Sequence, residues 1–381
     1  MRSLADVRRF AVGGLFTPAG LEQTLEALAF VQADPIRAPA RAQDLTLRPR
    51  VVGYRAGDLE RLYSTLPIEE DVFINYGFVT RAVQALMHPR NGAALSPTAT
   101  NARAKAVLAF IRERGSVHPR EVDAKFAHGV VRNYWGGSSS ATTHLLDAMH
   151  YKGLLRVARR EAGIRIYALQ RHGPPPQSAA LRRVRLDALV DVVVRKYSPV
   201  PSVSLSFLLR RLSYAVPQWR GEIGGALERA RHRLSRARVD GETWYWPSEV
   251  PARLDPTPDA VRLLAPFDPV VWDRRRFERL WGWAYRFEAY TPPAKRKLGY
   301  YALPLLWRDQ VIGWANLALR TGQLHAEFGY VGGAKPRARA FARELDIELE
   351  RMRIFLQPRT TVTCQTILPD RSRVSRSAIG G

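Results

Sequence analysis

"ARAKAVLAFIRERGSVHPREVDAKFAHGVVRNYWGGSSSATTHLLDAMHYKGLLRVARREAGIRIYAL", residues 102–169, spells its structure in order. The first fourteen residues predict a helix, 118–126 a short second helix, and 139–153 a third that ends at Gly153. Ser138 to Ser140 supply its cap. Residues 154–169 then read as strand, turn and strand. Three helices and a hairpin are the plan of a winged helix, whose third helix enters a DNA major groove while the hairpin rides on the backbone.

The plan recurs downstream. "ALRRVRLDALVDVVVRKY" (180–197), "SVSLSFLLRRL" (202–212) and "GEIGGALERARHR" (221–233) predict helices, and "LSRARVDGETWYWP" (234–247) a wing that turns at Asp240-Gly241. The proline run of "RHGPPPQ" (171–177) is a stiff linker between the two units. Upstream, helices are predicted over 3–13 and 18–31, the second opened by Thr17-Pro18, and the chain turns at Asp34-Pro35. Read as a degenerate copy, this region makes the protein a row of three winged helices. From about residue 261 the pattern changes to aromatic and β-branched runs, "YRFEAY" (285–290), "GYYALPLLW" (299–307), "QVIGWANLAL" (310–319) and "QLHAEFGYV" (323–331). The expected fold is therefore α+β: winged-helix modules over 1–100, 101–173 and 178–250, then a small antiparallel β-barrel with a C-terminal helix over 258–369. Residues 370–381 are expected to be disordered.

Lys plus Arg number 59 against 35 acids, a formal charge of +24, which calls for a polyanionic partner such as nucleic acid. No apolar run approaches the roughly 18 to 20 residues that span a bilayer, and charges interrupt what would be a signal core in "MRSLADVRRFAVGGLF". No membrane partner and a cytoplasmic location are expected. The single cysteine, Cys364, excludes an internal disulfide and a cysteine-built metal site, and the eight histidines form no metal-binding pattern. No cofactor is expected.

A winged helix by itself specifies a nucleic-acid binder, and the commonest such protein is a transcription regulator. Three in tandem with a further domain point elsewhere, because a row of modules wraps a duplex. Within "FVQADPIRAPARAQDLTLRPR" (30–50), Gln32 and Asp34 head a stretch with four arginines, Arg37, Arg41, Arg48 and Arg50. Taken locally, the pair is better read as a helix-end amide and a turn aspartate before proline, which is common turn chemistry.

Two distant segments resemble one family. "PFDPVVWDR" (266–274), the spaced pattern Tyr285, Glu288, Tyr290, Pro292, Lys295, Arg296, and "GYYALPLL" (299–306) are similar to the winged-helix DNA glycosylases of the YcaQ and AlkZ family, as is "VQADPIRAPARAQDLTLRPR" (31–50). The resemblance implies an enzyme that cleaves the N-glycosidic bond of alkylated purines in double-stranded DNA, acting as a monomer. It carries the catalytic pair onto Gln32 and Asp34, and aspartate at the third motif position implies the branch that unhooks interstrand crosslinks. DNA contacts are expected at Arg37, Arg41, Arg50, Asn75, Lys295 and Arg296, with the arginines keeping Asp34 ionised. Where relatives commonly carry a histidine and an acid after an aromatic pair, this chain reads "DVFINYG" (71–77), with Asn75 and Tyr76.

Overall fold

The computed structural model describes residues 1–91, 97–132, 138–252, 254 and 256–357. Helix α1 (Leu4–Val12) starts on a capping box between Ser3 and Asp6 and buries Val7, Phe10 and Ala11. The Thr17-Pro18 signal does not open the next helix. Gly20 caps α2 (Leu21–Leu28), which Ala29 ends by taking a left-handed φ of 56°. The chain then enters strand β1 (Phe30–Gln32), where a longer helix was predicted. Helices α3 (Ala42–Leu47) and α4 (Asp58–Leu62), strands β2 (Ile68–Val72) and β3 (Tyr76–Thr80), and α5 (Arg81–Met87) complete this region. The strands form an antiparallel sheet in the order β1-β3-β2.

Pairing explains the lost helical turn. Phe30, Val31 and Gln32 register with Val79, Phe78 and Gly77. Gly77 permits the approach, since a Cβ there would lie 2.3 Å from the Val31 carbonyl oxygen.

Next come α6 (Ala102–Arg114), β4 (Ser116–Val117), α7 (Pro119–Phe126), β5 (Val130–Arg132), β6 (Ser138–Ser140), α8 (Ala141–Lys152), β7 (Leu155–Glu161) and β8 (Ile164–Leu169). They are followed by α9 (Ala179–Tyr197), β9 (Val200–Pro201), α10 (Ser202–Arg211), α11 (Ile223–Arg233), β10 (Ser235–Val239) and β11 (Glu242–Trp246). The predicted helices and hairpins are present in order, and each hairpin takes up the short strand after the first helix, as β4-β8-β7 and β10-β11-β9.

The C-terminal region departs from expectation. It comprises β12 (Val261–Leu263), α12 (Arg274–Trp281), β13 (Leu303–Trp307), β14 (Gln310–Arg320), β15 (Gln323–Tyr330) and α13 (Arg339–Leu356). Among the described residues its four strands run in the order β12-β13-β14-β15 with no pairing between the outer two, so the sheet is open and is not the expected barrel. "YRFEAY" is not a strand. Glu288 instead accepts from the N–H groups of Lys297, Leu298 and Gly299 at 2.8, 2.7 and 3.3 Å, and the Tyr285 hydroxyl donates to the Ala302 carbonyl at 2.8 Å. Side chains here satisfy backbone groups that a ladder would otherwise pair. The expected tail and Cys364 lie outside the described residues.

The cores cross these sequence segments. Phe30 packs in one cluster with Phe73, Val79, Leu189, Val193 and Leu208, whereas Val31 joins another with Leu45, Tyr63, Leu146, Leu263 and Phe355. Successive residues of β1 thus face opposite cores, as strand alternation requires. The strand that delivers Gln32 is clamped from both sides. Among the described residues no helix is long and apolar enough to cross a membrane.

Candidate functional site

Gln32 ends β1, and the Ala33 N–H carries the ladder one residue further by donating to the Tyr76 carbonyl at 3.1 Å. Asp34 follows two residues after Gln32, just past the end of the strand. Gln32 Oε1 accepts from Asn75 Nδ2 at 2.8 Å. Asn75 sits in the β2–β3 connection beside fully buried Phe73 and Ile74, and its own oxygen accepts from Arg211 Nη2 at the end of α10. Arg211 Nε donates to the Ile74 carbonyl at 3.0 Å.

Asp34 is only 9% exposed. Its Oδ1 accepts from the Ile36 N–H at 2.9 Å, an aspartate turn, and its own N–H donates to Gln43 Oε1 on α3 at 3.3 Å. Among the described residues no arginine, lysine or histidine pairs with it, and burial raises its pKa above the ordinary carboxylate value, with the Ile36 hydrogen bond opposing. The expectation that neighbouring arginines keep Asp34 ionised is corrected on this point. Three of the four have other partners, and Arg37 is exposed. Arg41 is tied to Glu60 at 2.7 Å, Arg48 pairs with Glu348, and Arg50 forks onto Asp268 at 2.7 and 3.0 Å.

Burial first, then the Asp34 charge, also raises the hydroxyl pKa values of Tyr290 and Tyr301. Both tyrosines therefore belong to the same neighbourhood. Tyr290 is 76% exposed, whereas Tyr301 is buried with its hydroxyl unpartnered among the described residues. The C-terminal region thus meets the N-terminal motif, and Tyr301 and Phe287 share one core with Val31 and Ile36.

The remaining expected contacts divide. Arg37 and Lys295, the latter in a 3-10 turn over Pro293–Lys295, are exposed. Arg296 is half-buried, donating to the Thr291 carbonyl at 2.8 Å with its guanidinium 5.0 Å from the Tyr300 ring centroid. Asn75 stands against Gln32. Arg50 is buried, and its fork with Asp268 replaces the expected phosphate contact with a role inside the fold. Sequence reasoning missed Arg211 and Gln43 as neighbours of the pair. Tyr290 and Tyr301 lie inside the motifs that carry the resemblance, and nothing else in the sequence marks them.

The model of the family "DNA glycosylase AlkZ-like" matches residues 25–355. The fold is similar to that of the Streptomyces sahachiroi DNA glycosylase AlkZ, at a TM-score of 0.59 and 12% identity over 93% of this chain and 97% of that one. The family match takes in Gln32, Asp34, Asn75, Arg211, Tyr290 and Tyr301 together. With that match spanning most of its length, the chain belongs to the AlkZ-like family of DNA glycosylases.

Proposed function

We propose that this protein is a DNA repair glycosylase that hydrolyses the N-glycosidic bond of N7-alkylated purines and, through aspartate at position 34, unhooks interstrand crosslinks. The observation that carries this reading is Asp34 itself, a nearly buried carboxylate with no cation paired to it among the described residues. Such a group is costly to the fold and free to act on an arriving charge.

An N7-alkylated guanine is cationic. When the C1′–N9 bond breaks, its electron pair neutralises the base, so no acid is needed for the leaving group, unlike in ordinary glycosidases. Asp34 stabilises the oxocarbenium-like sugar, water adds its oxygen to C1′, and the water proton passes to the carboxylate. A unit charge about 4 Å from the sugar is worth up to roughly 4 kcal/mol at an effective dielectric near 20. At 1.36 kcal/mol per decade this approaches a thousandfold. One carboxylate is an adequate first contribution.

The two helix–strand–helix–helix–hairpin units act as winged helices, and with the N-terminal region they make three modules along the duplex. α8 and α11 are their groove-reading helices. Exposed Arg37 and Lys295, with Arg296, contact the sugar-phosphate backbone near the lesion, and Asn75 serves the site through its hydrogen bond to Gln32. A crosslinked base is tethered to the opposite strand and cannot swing into a deep pocket, unlike the target of base-flipping enzymes. A site rimmed by exposed Tyr290 suits attack from a groove.

The test is base release by the full chain from a duplex carrying N7-alkylguanine, run beside unhooking of a nitrogen-mustard crosslink. Release from both supports the reading. Release from the monoadduct alone removes the crosslink assignment, and release from neither leaves a non-catalytic DNA binder or regulator.

A further inference from the structure

Gln32 stands at the end of a short relay whose direction is fixed by chemistry. Arg211 is anchored by its Nε–H on the Ile74 carbonyl at 3.0 Å, with its guanidinium 4.8 Å from the Tyr214 ring centroid, and its Nη2 meets the Asn75 amide. A guanidinium offers donors only, so the Asn75 atom it meets is the oxygen and the other end of that amide is the NH2. That NH2 in turn meets Gln32 at 2.8 Å, and the Gln32 atom it meets must be an acceptor, the carbonyl oxygen. Gln32 is left with its own NH2 turned away from Asn75. No described residue accepts from it.

We infer that Arg211 and Asn75 are positioning residues that lock Gln32 in one amide orientation, so that it serves the DNA as a hydrogen-bond donor beside Asp34. The sense of the lock matches the substrate. Phosphates, bridging oxygens and the deoxyribose ring oxygen of DNA are all acceptors, so an NH2 fits any of them and a carbonyl fits none. Three parts of the chain meet in this one result: α10 supplies the cation, the β2–β3 connection the relay amide, and β1 the donor. The inference rests on the reading of Gln32 and Asp34 as the reacting pair.

Asn75→Asp tests it, because the new side chain has the shape of the old one and keeps Arg211 as an ion pair, yet offers Gln32 acceptors only. Gln32 must then rotate its amide to donate inward, which turns its carbonyl toward the DNA. Single-turnover base release is expected to fall about 10- to 100-fold, with duplex affinity within a few-fold of native. Arg211→Lys, which keeps a donor, should retain more activity than Arg211→Met. A second readout needs no activity: the Gln32 side-chain amide resonance, identified by its loss in Gln32→Glu, should exchange rapidly with solvent in the native protein and become protected and shifted in Asn75→Asp. A native release rate in Asn75→Asp, or an unchanged Gln32 amide resonance, overturns the inference. If the native chain releases no base, it is the glycosylase reading that falls, and the amide resonance still decides the orientation of Gln32.

Discussion

Asp34 costs the fold stability because it is nearly buried with no paired cation among the described residues. Its folded pKa is raised by burial, so its favourable contribution is present below the unfolded value near 3.9 and is lost as pH rises through the folded pKa. At neutral pH the ionised carboxylate therefore opposes folding. Asp34→Asn is expected to raise the melting temperature at pH 7 by a few degrees and to lose that advantage below about pH 4, as thermal unfolding at both pH values will show. The same shift predicts that the acid limb of the base-release profile falls above the ordinary aspartate value of about 3.9, which a pH–rate series reads. The pair Gln32 and Asp34 was singled out by the motif that carries the family resemblance, which lies within three residues, since its local pattern alone reads as ordinary turn chemistry. Arg50 was misread as a phosphate contact because nothing around it in sequence marks its partner, Asp268, 218 residues away.

Strand β1 is only three residues long, and its position depends on neighbours more than on its own pairing. Its close approach to β3 makes Gly77 a sensitive position. Gly77→Val drives a side chain into the Val31 carbonyl and the Phe30 ring, 2.3 and 2.6 Å from the first added carbon. The expected cost is about 2 kcal/mol or more, measured by chemical denaturation, with loss of base release in whatever remains folded. Helices α6 to α11 and both hairpins were readable because helical period, caps and the Asp240-Gly241 turn all act locally. The end of α2 was not, since the registry of Phe30 with Val79 overrode a continuing helical pattern. Nor was the missing strand at 285–290. Aromatic alternation gave the right composition for a strand, but the carboxylate of Glu288, gathering three N–H groups, holds that stretch as a loop.

The whole molecule is tied together by buried ionic pins between segments distant in sequence. Arg90, 2% exposed, donates to Asp71 at 2.9 Å and to the carbonyls of Val72, Tyr151 and Ala215 at 2.7, 2.6 and 2.7 Å. Three regions share one guanidinium. Arg90→Met leaves the Asp71 carboxylate without its main cation and should cost about 3 to 5 kcal/mol in urea unfolding. The formal charge of +24 acts at this scale too, and duplex binding is expected to weaken about a thousandfold or more between 50 and 200 mM salt if six or more phosphates are contacted. The open sheet and the interleaved cores were not legible, because closure and long-range packing leave no local pattern. Everything proposed for the reaction depends on the charge at position 34. The deciding measurement is single-turnover release of base from an N7-alkylguanine duplex by the native protein and by Asp34→Asn at equal DNA saturation. A fall of about 100-fold or more with unchanged duplex affinity is predicted, and release by Asp34→Asn at the native rate would contradict it.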